Sequence, residues 1–117
     1  MVSSFYLKEV LYMNYLDTSK HVDSFNQRVT KICHKVNQRF RLSVHVDLIS
    51  EQKPETYGVW YSYYTKKSLN DAATGTRQLI SQLTKYHLIG PISVGSRPDW
   101  KQLDDVISKI EDRINKY

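Results

Sequence analysis

The chain has 117 residues, 40% of them hydrophobic and 25% charged, which predicts one folded domain over residues 1–117 and excludes a chain that is disordered throughout. Its net charge of +5 favours an anionic partner such as nucleic acid, an acidic protein surface or anionic lipid. The sequence has no run of roughly 18–20 apolar residues that could span a membrane. With one cysteine and no apolar signal segment at its start, we expect a cytoplasmic protein without disulfides or membrane attachment.

The first element extends from Phe5 to Leu16 and is rich in aromatic and aliphatic residues. Alternate residues form one apolar face, which predicts a strand, although both faces are fairly apolar and a helix stays open. A helix is then predicted from an N-cap at Asp17 or Thr18 to about Phe40. Its apolar residues are spaced three or four apart and form a single stripe, namely Val22, Phe25, Val29, Ile32, Val36 and Phe40.

Two further strands are predicted in the middle of the chain. Residues 42–49 alternate apolar and polar side chains, as a half-buried strand does, and residues 57–65 are crowded with aromatic side chains, which favour a pleated sheet. The polar connection between them contains Pro54. The two strands are therefore expected to form an antiparallel hairpin.

The last third of the sequence predicts two helices. Ser68 and Asp71 form a capping signal for a helix that ends before Gly90 and Pro91. Residues 92–94 would form a short edge strand, and the segment 96–99 would open a final helix. The resulting order, strand–helix–strand–strand–helix–strand, matches a ferredoxin-like βαββαβ fold of the α+β class, with helices on one face of an antiparallel sheet and an added C-terminal helix.

The predicted first helix carries an unbalanced set of cations. No acidic residue stands between Asp23 and Asp47. Like charges spaced three and four residues apart repel one another, and such a ladder could contact successive phosphates. The alternative is a solvated helix face whose lysine stems cover apolar surface. The predicted nucleic-acid-binding residues are Arg28, Lys31, Lys35, Arg39 and Arg41.

The aromatic residues suggest a second surface. The chain has nine tyrosines and two tryptophans, and those on the uncovered sheet face would form an interface. The sequence around Gly58 does not match the RNA-recognition signature, so self-association is favoured over base stacking. Tyrosines buried in a small core are a third interpretation. The predicted interface residues are Tyr6, Tyr12, Trp60, Tyr61, Tyr63 and Tyr64.

Signals for catalysis are weak. His45 and Asp47 would share one strand face and are similar to the paired histidines that hold the metal of replication-initiator nucleases, but the second histidine is missing. Cys33 borders the apolar stripe and is interpreted as a small buried hydrophobe. We found no glycine-rich nucleotide motif, nucleophile elbow or zinc pattern in the sequence. The expectation is a protein that is not an enzyme and carries no cofactor.

The leading hypothesis is a non-enzymatic, homodimeric protein that binds nucleic acid or a nucleoprotein through its basic helix. The first alternative is a protein-interaction module or inhibitor, of a type found in phages and mobile elements, that acts on a protein partner through the aromatic sheet face or the last helix. An acidic protein is the alternative to nucleic acid as the partner of the chain. A remote alternative is a metal-dependent nicking nuclease that uses His45 and Asp47.

Overall fold

The protein is an all-helical bundle. A computed structural model describes the backbone of residues 4–50 and 59–117 and the side chains of residues 9–50 and 61–117. It contains three helices, α1 (Ser4–Phe40), α2 (Val59–Lys85) and α3 (Trp100–Ile114), and no strand within these ranges. The predicted ferredoxin-like α+β fold is therefore wrong.

Helix α1 includes the segment predicted as the first strand. The apolar stripe continues backwards from Val22 through Thr18, Tyr15 and Leu11 at spacings of four, three and four residues, so one packed face runs from Leu11 to Phe40. Thr18 is not a cap but a buried side chain, whose hydroxyl lies 3.3 Å from that of Thr65 in α2. The strand prediction failed because this polar residue interrupts the stripe in the sequence while lying inside it in the structure.

Helix α2 likewise begins earlier than predicted. The aromatic segment from residue 59 onward is helical, and Tyr61 and Tyr64 lie on its buried face; residues 57 and 58 fall outside the described ranges. Ser68 is buried within the helix, and Asp71 accepts a hydrogen bond of 2.6 Å from Lys67 one turn earlier. The capping signal was in fact an exposed pair at spacing i, i+4 beside a buried serine.

Helix α3 confirms the last predicted helix. Asp99 is its N-cap and accepts a hydrogen bond of 2.8 Å from the backbone N–H of Gln102, which satisfies one of the free N–H groups of the first turn. The preceding residues 92–94 form no edge strand, since they belong to an irregular connection.

All three helices run in the same direction. The rings of Tyr15 and Tyr64 are 5.2 Å apart, and further along both helices Phe25 of α1 lies against Gly75 of α2. His21 stacks on Trp100 at the start of α3, with ring centroids 5.0 Å apart, whereas Lys35 reaches Asn115 at its end. Parallel neighbours cannot be joined by tight turns, so α1 and α2, and α2 and α3, are joined by long crossovers. The structure describes residues 41–50 of the first crossover and residues 86–99 of the second.

The first crossover explains the other strand prediction. Val44 and Val46 are buried, and His45 between them is exposed, so the predicted alternation is present up to this point. The backbone is held not by a neighbouring strand but by side-chain amides, since Asn37 both donates to the carbonyl of Val44 (3.0 Å) and accepts from its N–H (2.8 Å). The amide therefore takes the place of a strand partner.

Two other amides bind the crossover in the same way. Gln82 pairs with the N–H and carbonyl of His45 at 3.0 and 2.7 Å. Asn26 pairs with those of Ile49 at 3.0 and 2.9 Å. Because a buried backbone group without a partner is costly, these three side chains, which we call the amide clamps, allow an extended segment to pack on helices without a sheet.

No helix within residues 4–50 and 59–117 has both the length and the apolar character needed to cross a bilayer.

Gly75 sets the distance between α1, α2 and the first crossover. A Cβ atom at this position would lie 3.1 Å from Cζ of Phe25 and 3.2 Å from Cγ1 of Val46. We expect Gly75→Val to lower the free energy of unfolding by about 1–3 kcal/mol, since the added methyl groups overpack this contact. Urea denaturation followed by circular dichroism would measure the loss.

Gly90→Val is the matched control, because no atom lies within 4 Å of a Cβ built at Gly90. Equal stabilities for the two variants would contradict the tight contact at Gly75.

Candidate nucleic-acid interface at the basic end of the bundle

The C-terminal ends of the three helices meet around Tyr117. Its ring packs edge-on against Phe40 at the end of α1, with centroids 5.2 Å apart. Its hydroxyl donates a hydrogen bond of 3.0 Å to the carbonyl of Leu88, just beyond α2. Tyr117, which follows α3, thus contacts the ends of both other helices.

Helices α1 and α2 end in the same motif. The N–H of Leu42 bonds to the carbonyl of Asn37 at 3.3 Å, and that of Leu88 to the carbonyl of Leu83 at 2.9 Å. Each hydrogen bond joins residues five positions apart, as in a Schellman motif. In that motif the first residue after the C-cap, called C′, adopts a left-handed conformation and is usually glycine.

Here both C′ residues carry cationic or ionisable side chains. Arg41 has φ 54° and His87 has φ 58°, a conformation that costs a non-glycine residue of order 1 kcal/mol or more. Both residues are exposed, so burial of the side chain does not compensate for that strain.

Six basic side chains lie in the last turn of a helix or in the few residues after it. Lysine and arginine are stabilised there because each helix C-terminus carries about −0.5 of an elementary charge. The three ends together contribute about −1.5, so five full positive charges leave an excess of positive charge. The residues of this surface, which we call the basic end, are Arg39, Arg41, Lys85, His87, Arg113 and Lys116.

The neighbouring sequence adds little negative charge. Two stretches, residues 24–46 and 72–98, contain no aspartate or glutamate. In the last turns of α3, Glu111 is bound by Arg28, which leaves Asp112 as the exposed carboxylate. The surface is thus basic because, in the last turns of α3, only Asp112 opposes its cations, while Glu111 is paired with Arg28.

Arg28 does not belong to this surface. Its guanidinium donates to Glu111 at 2.6 Å, to Ser108 at 2.9 Å and to Asp104 at 3.4 Å, and its side chain is 24% exposed. The hydrogen bond to Glu111 raises the pKa of Arg28. Arg28, the first of the predicted phosphate-binding cations, therefore links α1 to α3.

The other predicted cations lie towards the basic end. Lys31 is exposed, and the ammonium group of Lys35 donates to Asn115 at 3.0 Å. Arg39 and Arg41 are exposed beyond them and belong to the basic end itself. The structure therefore brings four of the five predicted residues to one flank and end of the bundle.

Replacing Arg28 by methionine should lower stability more than nucleic-acid binding. We expect a loss of about 1–2 kcal/mol, because Glu111 and Asp104 would face each other without a cation in a partly solvated site. The salt dependence of any nucleic-acid binding should stay unchanged. Urea denaturation and a salt titration of binding measure the two effects, and a flatter salt dependence at unchanged stability would contradict this assignment.

The predicted aromatic interface is divided by the structure. Because there is no sheet within the described residues, no open sheet face exists there; Tyr61 and Tyr64 are buried between α1 and α2. Tyr12 and Tyr63 are 45% and 61% exposed at the end opposite the basic end. The side chains of Tyr6 and Trp60 lie outside the described part of the chain.

The weak metal candidates form an exposed pair. His45 Nε2 and Asp47 Oδ1 are 3.1 Å apart, and both side chains are more than 80% exposed. Within the described residues, no group of three or more histidine, cysteine, aspartate or glutamate side chains could hold a metal ion. Burial raises the pKa of the Cys33 thiol, which keeps it in the neutral, poorly nucleophilic form.

Sequence reasoning missed four of the six residues of the basic end. Lys85, His87, Arg113 and Lys116 are far from α1 in the sequence, and parallel packing brings them together. The acid-free stretch 72–98 was the available signal for Lys85 and His87.

Comparison of the chain with protein-family models, curated proteins and solved structures found no match.

Proposed function

We propose that this protein binds nucleic acid, free or within a nucleoprotein, through the basic end, without catalysing a reaction. The observation that carries the proposal is the convergence of cationic residues from three helix ends, two of which hold a cationic or ionisable residue in a strained C′ position. Charge alone would be explained by the helix dipoles. The strain is not, because glycine at C′ would give a more stable helix end.

The chemistry of the basic end suits phosphates rather than a defined base sequence. Arginine offers planar, paired donors to phosphate oxygens, and lysine a mobile point charge. Each neutralised phosphate releases counterions, so binding should weaken steeply with salt. The single cysteine of the chain favours the cytoplasm as the compartment for this activity.

The proposal is tested by fluorescence anisotropy with labelled single- and double-stranded DNA and RNA over a salt series. With four to six phosphate contacts, the logarithm of the association constant should fall with the logarithm of salt at a slope of about −3 to −5. Absence of binding at low salt would refute the proposal. A protein partner that stays bound to the same surface after nuclease treatment would then indicate that the surface binds an acidic protein instead.

Arg41→Gly should separate stability from binding. We expect the free energy of unfolding to rise by about 0.5–1 kcal/mol, since glycine relieves the positive φ. Nucleic-acid binding should weaken severalfold, because one phosphate contact is lost. Thermal denaturation and anisotropy provide the two measurements.

Arg41→Ala is the control, since it removes the same charge but keeps a Cβ atom in the left-handed conformation. It should lose binding equally without the gain in stability. If glycine and alanine have the same stability, the strain at Arg41 is not the relevant feature.

A specific observation also favours a protein interaction, namely a homodimer formed at the other end of the bundle. On α1, Tyr12, Met13 and Leu16 are 45%, 62% and 42% exposed. Five helical turns, or 18 residues, later on the same face stand Thr30, Lys31 and His34. One face of α1 thus changes from apolar to polar where α3 begins to accompany the helix.

The charges beside this apolar face fit a second copy of the chain. Glu9 and Asp17 are exposed on α1, and Lys66 is exposed on α2. A twofold pairing that sets α1 of one copy against α2 of the other would bring opposite charges together.

Light scattering over a protein-concentration series tests the dimer. Met13→Glu should yield a monomer at concentrations where the unmodified protein is dimeric, whereas Leu48→Glu, at a 50% exposed leucine on the first crossover, should not. A monomeric unmodified protein at all concentrations would refute the dimer and leave the nucleic-acid proposal untouched.

A further inference from the structure

A cleft opens at the basic end between the connection that follows α2 and the last turn of α3. Its volume is about 650 Å³, within the usual range for sites that bind small molecules. One wall is apolar, formed by Leu88, Ile89 and Pro91, and Tyr117 closes one side. Arg113, Lys116 and His87 also line the cleft, and none of its described lining residues has a carboxylate side chain.

The guanidinium of Arg113 is incompletely paired. Its Nη1 atom is buried and has no hydrogen-bond partner among the described residues. Burial of this atom partly desolvates the guanidinium, which strengthens its attraction for an anion that contacts the part of Arg113 lining the cleft. Stabilising the helix dipole does not explain it, because an exposed lysine such as Lys85 serves that purpose without desolvation.

The cleft also has a surface for a planar apolar group. The Tyr117 side chain is 49% exposed although its ring touches Phe40 and its hydroxyl is bonded to Leu88. An aromatic ring fixed at two points keeps little conformational freedom to lose when a nucleobase packs against it. The phosphate donors and the aromatic ring therefore line the same cleft.

We propose that this cleft binds one nucleotide unit, with the phosphate held by Arg113 and Lys116 and the base or sugar packed against Tyr117 and the apolar wall. The hydroxyl of Thr84, which also lines the cleft, supplies a further donor. This inference rests on the proposed function only in naming a nucleic-acid strand as one source of the nucleotide. A free nucleotide presents the same chemistry.

The experiment compares Arg113→Gln with Lys85→Gln. Both remove one positive charge from the basic end, but Lys85 does not line the cleft. Each variant is titrated with AMP by calorimetry and with a labelled twelve-nucleotide single strand by anisotropy, and thermal denaturation shows that it is folded. Lys116→Gln, at an exposed residue, replaces Arg113→Gln if that variant does not fold.

We expect Arg113→Gln to weaken binding of at least one of the two ligands by tenfold or more, a loss in keeping with a charge-assisted hydrogen bond. Lys85→Gln should leave AMP binding unchanged and weaken strand binding only severalfold, as the loss of one phosphate contact does. A selective loss for the strand, with no AMP binding, identifies the nucleotide as part of a nucleic acid.

Other outcomes separate the two proposals. If AMP binds and depends on Arg113 but the strand does not bind, the cleft takes a free nucleotide and the nucleic-acid proposal fails. If Arg113→Gln and Lys85→Gln behave alike with both ligands, or neither ligand binds, the cleft is not a nucleotide site.

Discussion

Replacing Arg39 and Lys116 together by glutamate should weaken nucleic-acid binding about 100-fold at moderate salt. The two residues belong to α1 and to the segment after α3, and the edge-on contact between Phe40 and Tyr117 joins those two ends. Each reversal removes a phosphate contact and adds repulsion, so the salt slope should become shallower by about two. Anisotropy over a salt series measures both quantities.

The matched control is Lys20→Glu with Lys101→Glu. Both lysines are exposed, one near the middle of α1 and the other at the start of α3, and the pair changes the net charge by the same amount at a distance from the basic end. If this control weakened binding as much as the first pair, attraction by net charge would explain the binding and the basic end would have no special role.

Asn26→Leu should cause the largest loss of stability, about 2–4 kcal/mol. Leucine has a similar size but can neither donate to the carbonyl of Ile49 nor accept from its N–H, so both backbone groups of a residue that is only 6% exposed would lose their partner. Each unpaired group costs about 1–3 kcal/mol. Urea denaturation would measure the loss, and hydrogen exchange should show faster exchange at Ile49.

Asn70→Leu on the exposed face of α2 makes the same chemical change without a crossover contact, and should alter stability by less than about 0.5 kcal/mol. An equal effect of the two substitutions would show that the amide clamp at Ile49 does not hold the crossover. The same reasoning applies to Asn37 and Gln82.

The amide clamps also explain why the sequence was misleading about the fold. Alternation of apolar and polar residues reports that one side of an extended segment is buried, and Val44 and Val46 are buried as that pattern requires. The pattern does not report which groups form hydrogen bonds with the backbone N–H and carbonyl groups of that segment. Here asparagine and glutamine side chains from two helices do so, and a pattern of single residues cannot distinguish them from a neighbouring strand.

The sequence by itself determined the helical stripe from Val22 to Phe40, a final helix opened by the segment 96–99, and the existence of an acid-free cationic segment. These features depend on neighbours three or four residues apart, which the sequence shows directly. The predictions for the first parts of α1 and α2 were wrong, because buried polar residues, Thr18 and Ser68, interrupt the apolar stripe of each helix.

Only the tertiary structure decided which cations lie together. It removed Arg28 from the predicted ladder, since carboxylates of α3 bind its guanidinium. It added Lys85, His87, Arg113 and Lys116, because parallel packing brings the ends of all three helices to Tyr117. Helical periodicity acts over a few residues, whereas a charged surface is assembled by packing between segments that are distant in the chain.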